Sequence, residues 1–222
     1  MTLLTNPKKA LPKEKTSSST DVLGPKNQQR LETVVMEIFS SEDFHKANMR
    51  TIAKKAGVSF STIYKYYGSK ENLLFAFVDK KLKVLTERMV DHLQGIDNLK
   101  DKLRKVFWLQ MDYYERNPEL GRIIFMTVPM ITWMKDKSFK QKKLIGIWLE
   151  TLKQGQKEGL LNPKVRAEDL LDFYYGLVQR SFFMWVYRGQ TVSLAERAGQ
   201  LFEIVWRGLS NPESDIDLSG LY

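Results

Sequence analysis

HKANMRTIAKKAGVSFSTIYKYYGSK, residues 45–70, combines the spacing of a helix-turn-helix with six basic residues and no acidic one. Ile52 and Ala53 open a short apolar face, Ala56 continues it, Gly57 breaks the helix, Val58 packs in the turn, and Ile63 anchors a second helix. A residue just past a helix end often needs a left-handed backbone, which glycine adopts without steric cost, and small alanines let two helices cross closely. Ser59 is placed to cap the second helix. The exposed positions of that helix then carry Phe60, Ser61, Thr62, Tyr64, Lys65 and Tyr66, a surface of hydroxyls, aromatics and one cation that suits phosphates and base edges. The combination points to DNA.

Composition supports that direction and excludes others. The chain has 222 residues, enough for one large or two small domains with a substantial core. A formal net charge of +9 favours a polyanionic partner, which by charge alone would equally be a membrane surface or an RNA; the acid-free run at 45–70 selects among them. Cysteine is absent and His45 and His92 are the only histidines, so the usual zinc arrangements are not available and no cofactor is expected. Enzymatic chemistry would need a nucleophile with a base, paired carboxylates, a metal cluster or a phosphate loop, and none is legible. With no apolar leader after Met1 and no apolar run near the roughly 18 residues that span a bilayer, the expectation is a soluble cytoplasmic protein without membrane contact.

Along the chain, residues 1–27 hold three prolines, a Ser/Thr cluster and several lysines, and read as a flexible basic arm, either inert or touching phosphates. An amphipathic stripe of Leu31, Val34, Val35, Ile38 and Phe39 predicts a first helix over 28–40. Asn48 is the expected N-cap of a second helix over 49–56, and a recognition helix covers about 60–66. Ser69 caps a fourth helix that begins at Lys70 and runs to about 93, with Leu73, Leu74, Phe77 and Val78 on its buried side. Turn-forming residues at 94–98 mark a boundary. Beyond it we expect a fifth helix over 99–116, a sixth capped by Asn117 and Pro118 and stopped at or before Pro129, a seventh over 138–158, a nearly all-apolar eighth over 167–188, and a ninth over 193–209. The last two can supply a subunit interface. The resulting fold class is all-α with about nine helices, divided into an arm (1–27), a DNA-binding unit (28–70), a connecting helix (71–93), a C-terminal domain (94–210) and a tail (211–222).

The segment AGVSFSTIYKYYGSKENLL, residues 56–74, resembles the DNA-binding signature of the TetR family of bacterial transcriptional regulators, over roughly residues 30–80. Two positions depart from the pattern: Phe60 stands where a basic residue or glycine is more frequent, and Tyr67 replaces a core Phe. The resemblance implies a homodimeric helical repressor with an N-terminal three-helix unit on a palindromic double-stranded operator, a C-terminal ligand-sensing and dimerisation domain, and a connecting helix that carries the signal. It also implies phosphate contacts from Asn48, Thr62, Tyr64, Tyr66 and Lys70, which leaves Phe60, Ser61 and Lys65 for bases, with the cap Ser59 also in the expected DNA-binding set; Phe60 could meet a thymine methyl and Lys65 a guanine.

The C-terminal half is rich in large adaptable side chains. Phe107, Met111, Tyr114, Phe125, Met130, Trp148, Phe173, Tyr174 and Leu177 are candidate lining for a pocket that takes a hydrophobic or amphipathic effector. The same list also describes an ordinary helical core. Gln110, Tyr174, Arg180 and Ser181 are polar groups within apolar stretches, and Arg180 either meets a ligand anion or lies on a polar stripe with Asp172 and Gln179. The alternative to a sensor is a DNA-binding regulator or architectural protein without a small-molecule inducer.

Overall fold

A computed structural model describes residues 23–135 and 141–213. Its order is α1 (Pro25–Ser41), α2 (Met49–Ala56), α3 (Phe60–Tyr67), α4 (Lys70–Leu93), α5 (Leu99–Arg116), α6 (Pro118–Arg122) running into a π-helical turn (Ile123–Thr127), α7 (Met130–Lys135), α8 (Gln141–Lys157), α9 (Ala167–Tyr187) and α10 (Leu194–Leu209). Among the described residues the only extended pairing is an isolated bridge between Leu161 and Ser210, so the fold is all-α. No described helix is long and apolar enough to cross a membrane.

Local chemistry starts most of these helices. Asn48, Ser59, Ser69, Asn98 and Ser193 each accept a backbone N–H of the following turn, which satisfies donors that a helix start leaves orphaned. Pro25 occupies the first turn of α1, so this helix starts three residues before the expected Gln28 and takes in the end of the expected arm; Leu23, just ahead of it, is buried. The rest of the arm, and the tail beyond 213, lie outside the described residues.

Three expectations change in the middle of the chain. Asn117 does not cap α6: its side-chain amide donates to the Tyr113 carbonyl at 2.8 Å and so closes the end of α5 instead. The expected sixth helix holds α geometry only to Arg122, then widens into the π turn before an extended Val128 ahead of Pro129. A separate short helix, α7, follows that proline; the expected start of the next helix at 138 lies outside the described residues, and α8 is described from Gln141.

The core runs without a break from the N-terminal unit into the C-terminal one. Leu31, Val35, Phe39, Ile52, Ile63 and Phe77 fill the first, and Leu103, Phe107, Leu120, Phe182, Phe202 and Val205 the second. α5 packs most extensively on α10 and also on α4 and α9. Gly121 makes the approach of α6 to α9 possible, because a Cβ there would stand 2.3 Å from the Phe182 ring. Two ion-pair groups fix α4 between the units. Glu32 of α1 meets Lys80 at 2.6 Å and Lys81 at 3.0 Å, while the buried Asp112 of α5 holds Arg88 of α4 at 3.0 Å and Arg116 at 2.7 Å. Burial raises the Glu32 pKa, but hydrogen bonds and charge from Lys80 and Lys81 outweigh it and leave the carboxyl below its ordinary range.

Candidate functional site

α2 and α3 meet through the turn at Gly57, whose backbone is left-handed (φ 63°, ψ 33°). The N–H of Gly57 reaches the Lys54 carbonyl and that of Val58 the Ala53 carbonyl, so the end of α2 is closed by main chain. Ala53, Ala56 and Val58 are buried beneath the turn, and Ile63 and Tyr67 seat α3 on the same core. The geometry leaves one face of α3 in solvent, with Phe60, Ser61, Tyr64 and Lys65 exposed.

The hydroxyls near the start of α3 are gathered by the cap. Ser59 Oγ accepts from the Thr62 N–H at 3.0 Å and lies 2.6 Å from Thr62 Oγ1 and 3.0 Å from Ser61 Oγ. Phe60 and Tyr64, one turn apart, stack with ring centroids 5.9 Å apart and planes inclined 25°. The guanidinium of Arg50 sits 6.0 Å from the Phe60 centroid, a cation–π contact between α2 and α3. Sequence reading did not single out Arg50; its place two residues after a cap, one turn from Lys46 and Lys54 on the acid-free segment, was the available signal. Asn48 caps α2 with its oxygen on the Arg50 N–H at 2.8 Å. Tyr66 is half-buried at the core edge, with the Lys65 ammonium 5.8 Å over its ring.

Lys70 differs from expectation. Its ammonium donates to the carbonyls of Phe44 at 2.7 Å and Ala47 at 3.3 Å and lies 4.4 Å over the Phe44 ring, turned into the protein rather than outward. The loop before α2 leaves those carbonyls without helical partners, and a long flexible stem reaches them. Tyr67 occupies the core as expected, with its hydroxyl buried and pushed up to about 12 by desolvation and then by the charge of Glu32.

In the C-terminal domain the aromatic candidates divide. Phe107 meets Tyr174 edge-on at 5.7 Å, and Tyr174 meets Trp148 at 5.7 Å. Tyr114 lies 5.0 Å from Phe125, which lies 5.6 Å from Phe182. Met111 is buried, and Leu177 is half-buried against the core. The Tyr174 hydroxyl donates to Gln110 Oε1 at 2.8 Å, and burial holds the Tyr174 and Tyr114 hydroxyls well above their ordinary pKa. These are neutral polar groups in an apolar interior. Two candidates leave the set: Met130 starts α7 with 67% of its surface exposed, and Phe173 is 45% exposed because the phase of α9 turns it over Gly208 of α10. Arg180 is exposed on α9, 5.5 Å from the Phe183 ring.

Another contact joins the two units. Phe125 belongs to the π turn, and Thr127, two residues on, donates its hydroxyl to the Phe39 carbonyl of α1 at 2.6 Å while its own carbonyl accepts from the Phe44 N–H at 3.4 Å. A threonine before Val-Pro carries no sequence signal for such a role. On the outside of the domain, a groove of about 410 Å³ between α5 and α10 is lined by Ile96, Asp101, Arg104, Lys105, Trp108 and Gly199, none of them among the expected lining.

Comparison with known proteins places this architecture. Residues 34–77 match the family model of bacterial regulatory proteins, tetR family. The fatty acid metabolism regulator protein of Bacillus subtilis (strain 168) is 22% identical over 189 residues, covering 84% of this chain and 97% of that protein. The HTH-type transcriptional repressor KstR2 of Mycobacterium tuberculosis (strain H37Rv) is 23% identical over 193 residues, covering 82% and 92%. In fold, the chain is similar to the crystal structure of the transcriptional regulator FadR from Bacillus subtilis in complex with stearoyl-CoA, with a TM-score of 0.71 at 20% identity over 81% of this chain and 98% of that one. The ketosteroid transcriptional regulator KstR2 structure follows at a TM-score of 0.62 and 20% identity, covering 85% and 97%. The helix-turn-helix lies inside that matched segment, so it is in this N-terminal unit that the chain is similar to bacterial regulatory proteins of the tetR family.

Proposed function

We propose that this protein is a homodimeric transcriptional repressor of the cytoplasm, regulatory rather than catalytic, that releases its operator when a hydrophobic or amphipathic small molecule enters the C-terminal core. One observation carries the reading: a solvent-facing, basic-rimmed recognition helix and a buried aromatic interior belong to one continuous core, tied through Thr127 and through α4. In this division residues 28–70 bind DNA, 71–93 connect, and 94–210 sense and dimerise. Asn48, at the start of α2, is the natural phosphate contact, since a helix start favours an anion.

The dimer is built on α9 and α10. Phe173, Phe183 and Ile204 are exposed there, and Gly176 has open space beside it, so the two helices present a partly apolar surface that a monomer leaves wet. Two copies of α3 would then enter successive major grooves about 34 to 36 Å apart.

The effector we favour is a long-chain acyl thioester or a molecule of similar amphipathic character. The relative crystallised with stearoyl-CoA and the ketosteroid regulator both point to large apolar effectors. Phe107, Met111, Tyr114, Phe125, Trp148 and Tyr174 would surround the apolar part, with Gln110 and the tyrosine hydroxyls as neutral orienting groups. Release requires that the ligand bind the DNA-incompetent form more tightly than the competent one.

The test is operator selection from a random duplex library with purified protein, followed by titration of the bound complex with stearoyl-CoA, a free fatty acid and a steroid while tryptophan fluorescence, to which Trp148 contributes, is followed. One compound class should quench or shift the fluorescence and dissociate the complex over the same concentration range. Saturable binding of such a compound with operator affinity unchanged would remove the sensor and leave a DNA-binding regulator without an inducer.

A further inference from the structure

Four side chains of α3 stand in solvent on its outward face, and the structure draws most of the hydrogen-bonding groups around them away from it. Ser61 and Thr62 turn their hydroxyls to Ser59, at 3.0 Å and 2.6 Å from its oxygen. The Lys65 ammonium lies over Tyr66, toward the far end of the helix. What projects is the stacked pair Phe60 and Tyr64, 42% and 57% exposed, with Arg50 over Phe60 from the neighbouring helix. Around this apolar surface the segment 45–70 carries only positive charge, with Lys46, Arg50, Lys54 and Lys65 all exposed. The rim therefore suits phosphates on either side of a groove whose floor must offer something apolar to the two rings.

In the major groove the apolar feature of a base pair is the thymine C5-methyl; guanine, cytosine and adenine edges present only donors and acceptors. A phenylalanine ring satisfies none of those, and pressing it on them would desolvate them without replacement. We propose, resting on the DNA-binding reading above, that Phe60 with Tyr64 behind it reads thymine methyl groups, so that sequence preference in each half-site is set by apolar contact at the first turn of α3. Arg50 holds the ring pair in place and supplies charge to the adjacent phosphate.

Replacing single thymines of a selected operator by deoxyuridine removes the methyl and leaves every hydrogen-bonding edge intact. One or two positions per half-site should lose roughly 3- to 5-fold in affinity, the size expected for one buried methyl group. Phe60→Ala should abolish the thymine/uracil discrimination at those positions while retaining binding to random DNA at low salt, and Phe60→Leu should keep part of it. Phe60 is exposed at the first position of its helix, so circular dichroism of these variants should match the unsubstituted protein. Affinity within 1.5-fold at every uracil position, as an order-of-magnitude limit on a buried methyl, or discrimination that survives Phe60→Ala, overturns the inference and leaves the regulator intact. A selection that enriches no sequence at all removes the regulator and the methyl reading together.

Discussion

Phe60 and Tyr64 on α3, and Phe107, Tyr174, Tyr114 and Phe125 in the C-terminal domain, are the same residue types under opposite conditions. The first pair lies nearly parallel in solvent, flanked by cations. The second group meets mostly edge-on, with its hydroxyls either paired or buried deeply enough to stay neutral. Aromatic content therefore says little about role. What separates the two is helix phase and neighbours: α3 spends Ile63 and Tyr67 on the core and has none left to cover its other face, whereas α5 and α9 are covered on several sides. An interior ring contributes to stability, and an exposed ring stack is available to a partner.

The largest effect should come from the interior. Phe182, fully buried against Gly121, Tyr114 and Phe125, should cost about 3 to 5 kcal/mol when replaced by alanine, whereas Phe60→Ala should leave stability within about 0.5 kcal/mol, both read by urea denaturation. Comparable losses at the two sites would end the distinction between them. Thr127→Val keeps the shape but removes the hydroxyl that links the regions; we expect roughly 1 kcal/mol of destabilisation from the lost bond and a weaker effect of any effector on operator affinity. Unchanged effector coupling in that variant would show that the Thr127 bond carries none of the signal between the regions.

The smallest effect concerns Glu32, which ties α1 to α4 through Lys80 and Lys81. Its folded pKa lies below the ordinary 4.5, so its ionised form is the one that folding favours. The stabilisation is complete above that ordinary value and is lost as pH falls through it toward the folded pKa. Glu32→Gln should therefore lower stability modestly at neutral pH, by less than about 1 kcal/mol given the exposed Lys80 and half-buried Lys81, and narrow the gap to the unsubstituted protein below pH 4. A gap that persists at low pH would mean that packing, not charge, makes the contact.

Much of this architecture was legible because it is written in local terms. Gly57 with positive φ, the caps Asn48, Ser59 and Ser69, and the stripe of Leu31, Val35, Ile38 and Phe39 each act within one or two turns of chain. The features that escaped depend on distant partners. The π turn at 123–127 follows Gly121, and the contact this glycine permits is with Phe182, more than sixty residues away in sequence. Asn117 chose the end of α5 over the start of α6, a competition between two adjacent backbones that residue type does not decide. Lys70 and Phe173 were placed on the correct helices, but where a side chain of that length ends depends on what stands nearby: loop carbonyls for one, the bare surface of Gly208 for the other.

The Thr127 contact also has a mechanical meaning. A body joined to another by a single rod can tilt in any direction, but one held at two separated points keeps only rotation about the line between them. α4 supplies one attachment of the helix-turn-helix, and the face where α1 packs on α6 and the π turn, with the Thr127 pairing to Phe39 and Phe44, supplies another. While both hold, the recognition helix is restrained toward a swing about one axis, and in the proposed dimer a small displacement in the core would become a change in the spacing of two such helices rather than a loosening of either.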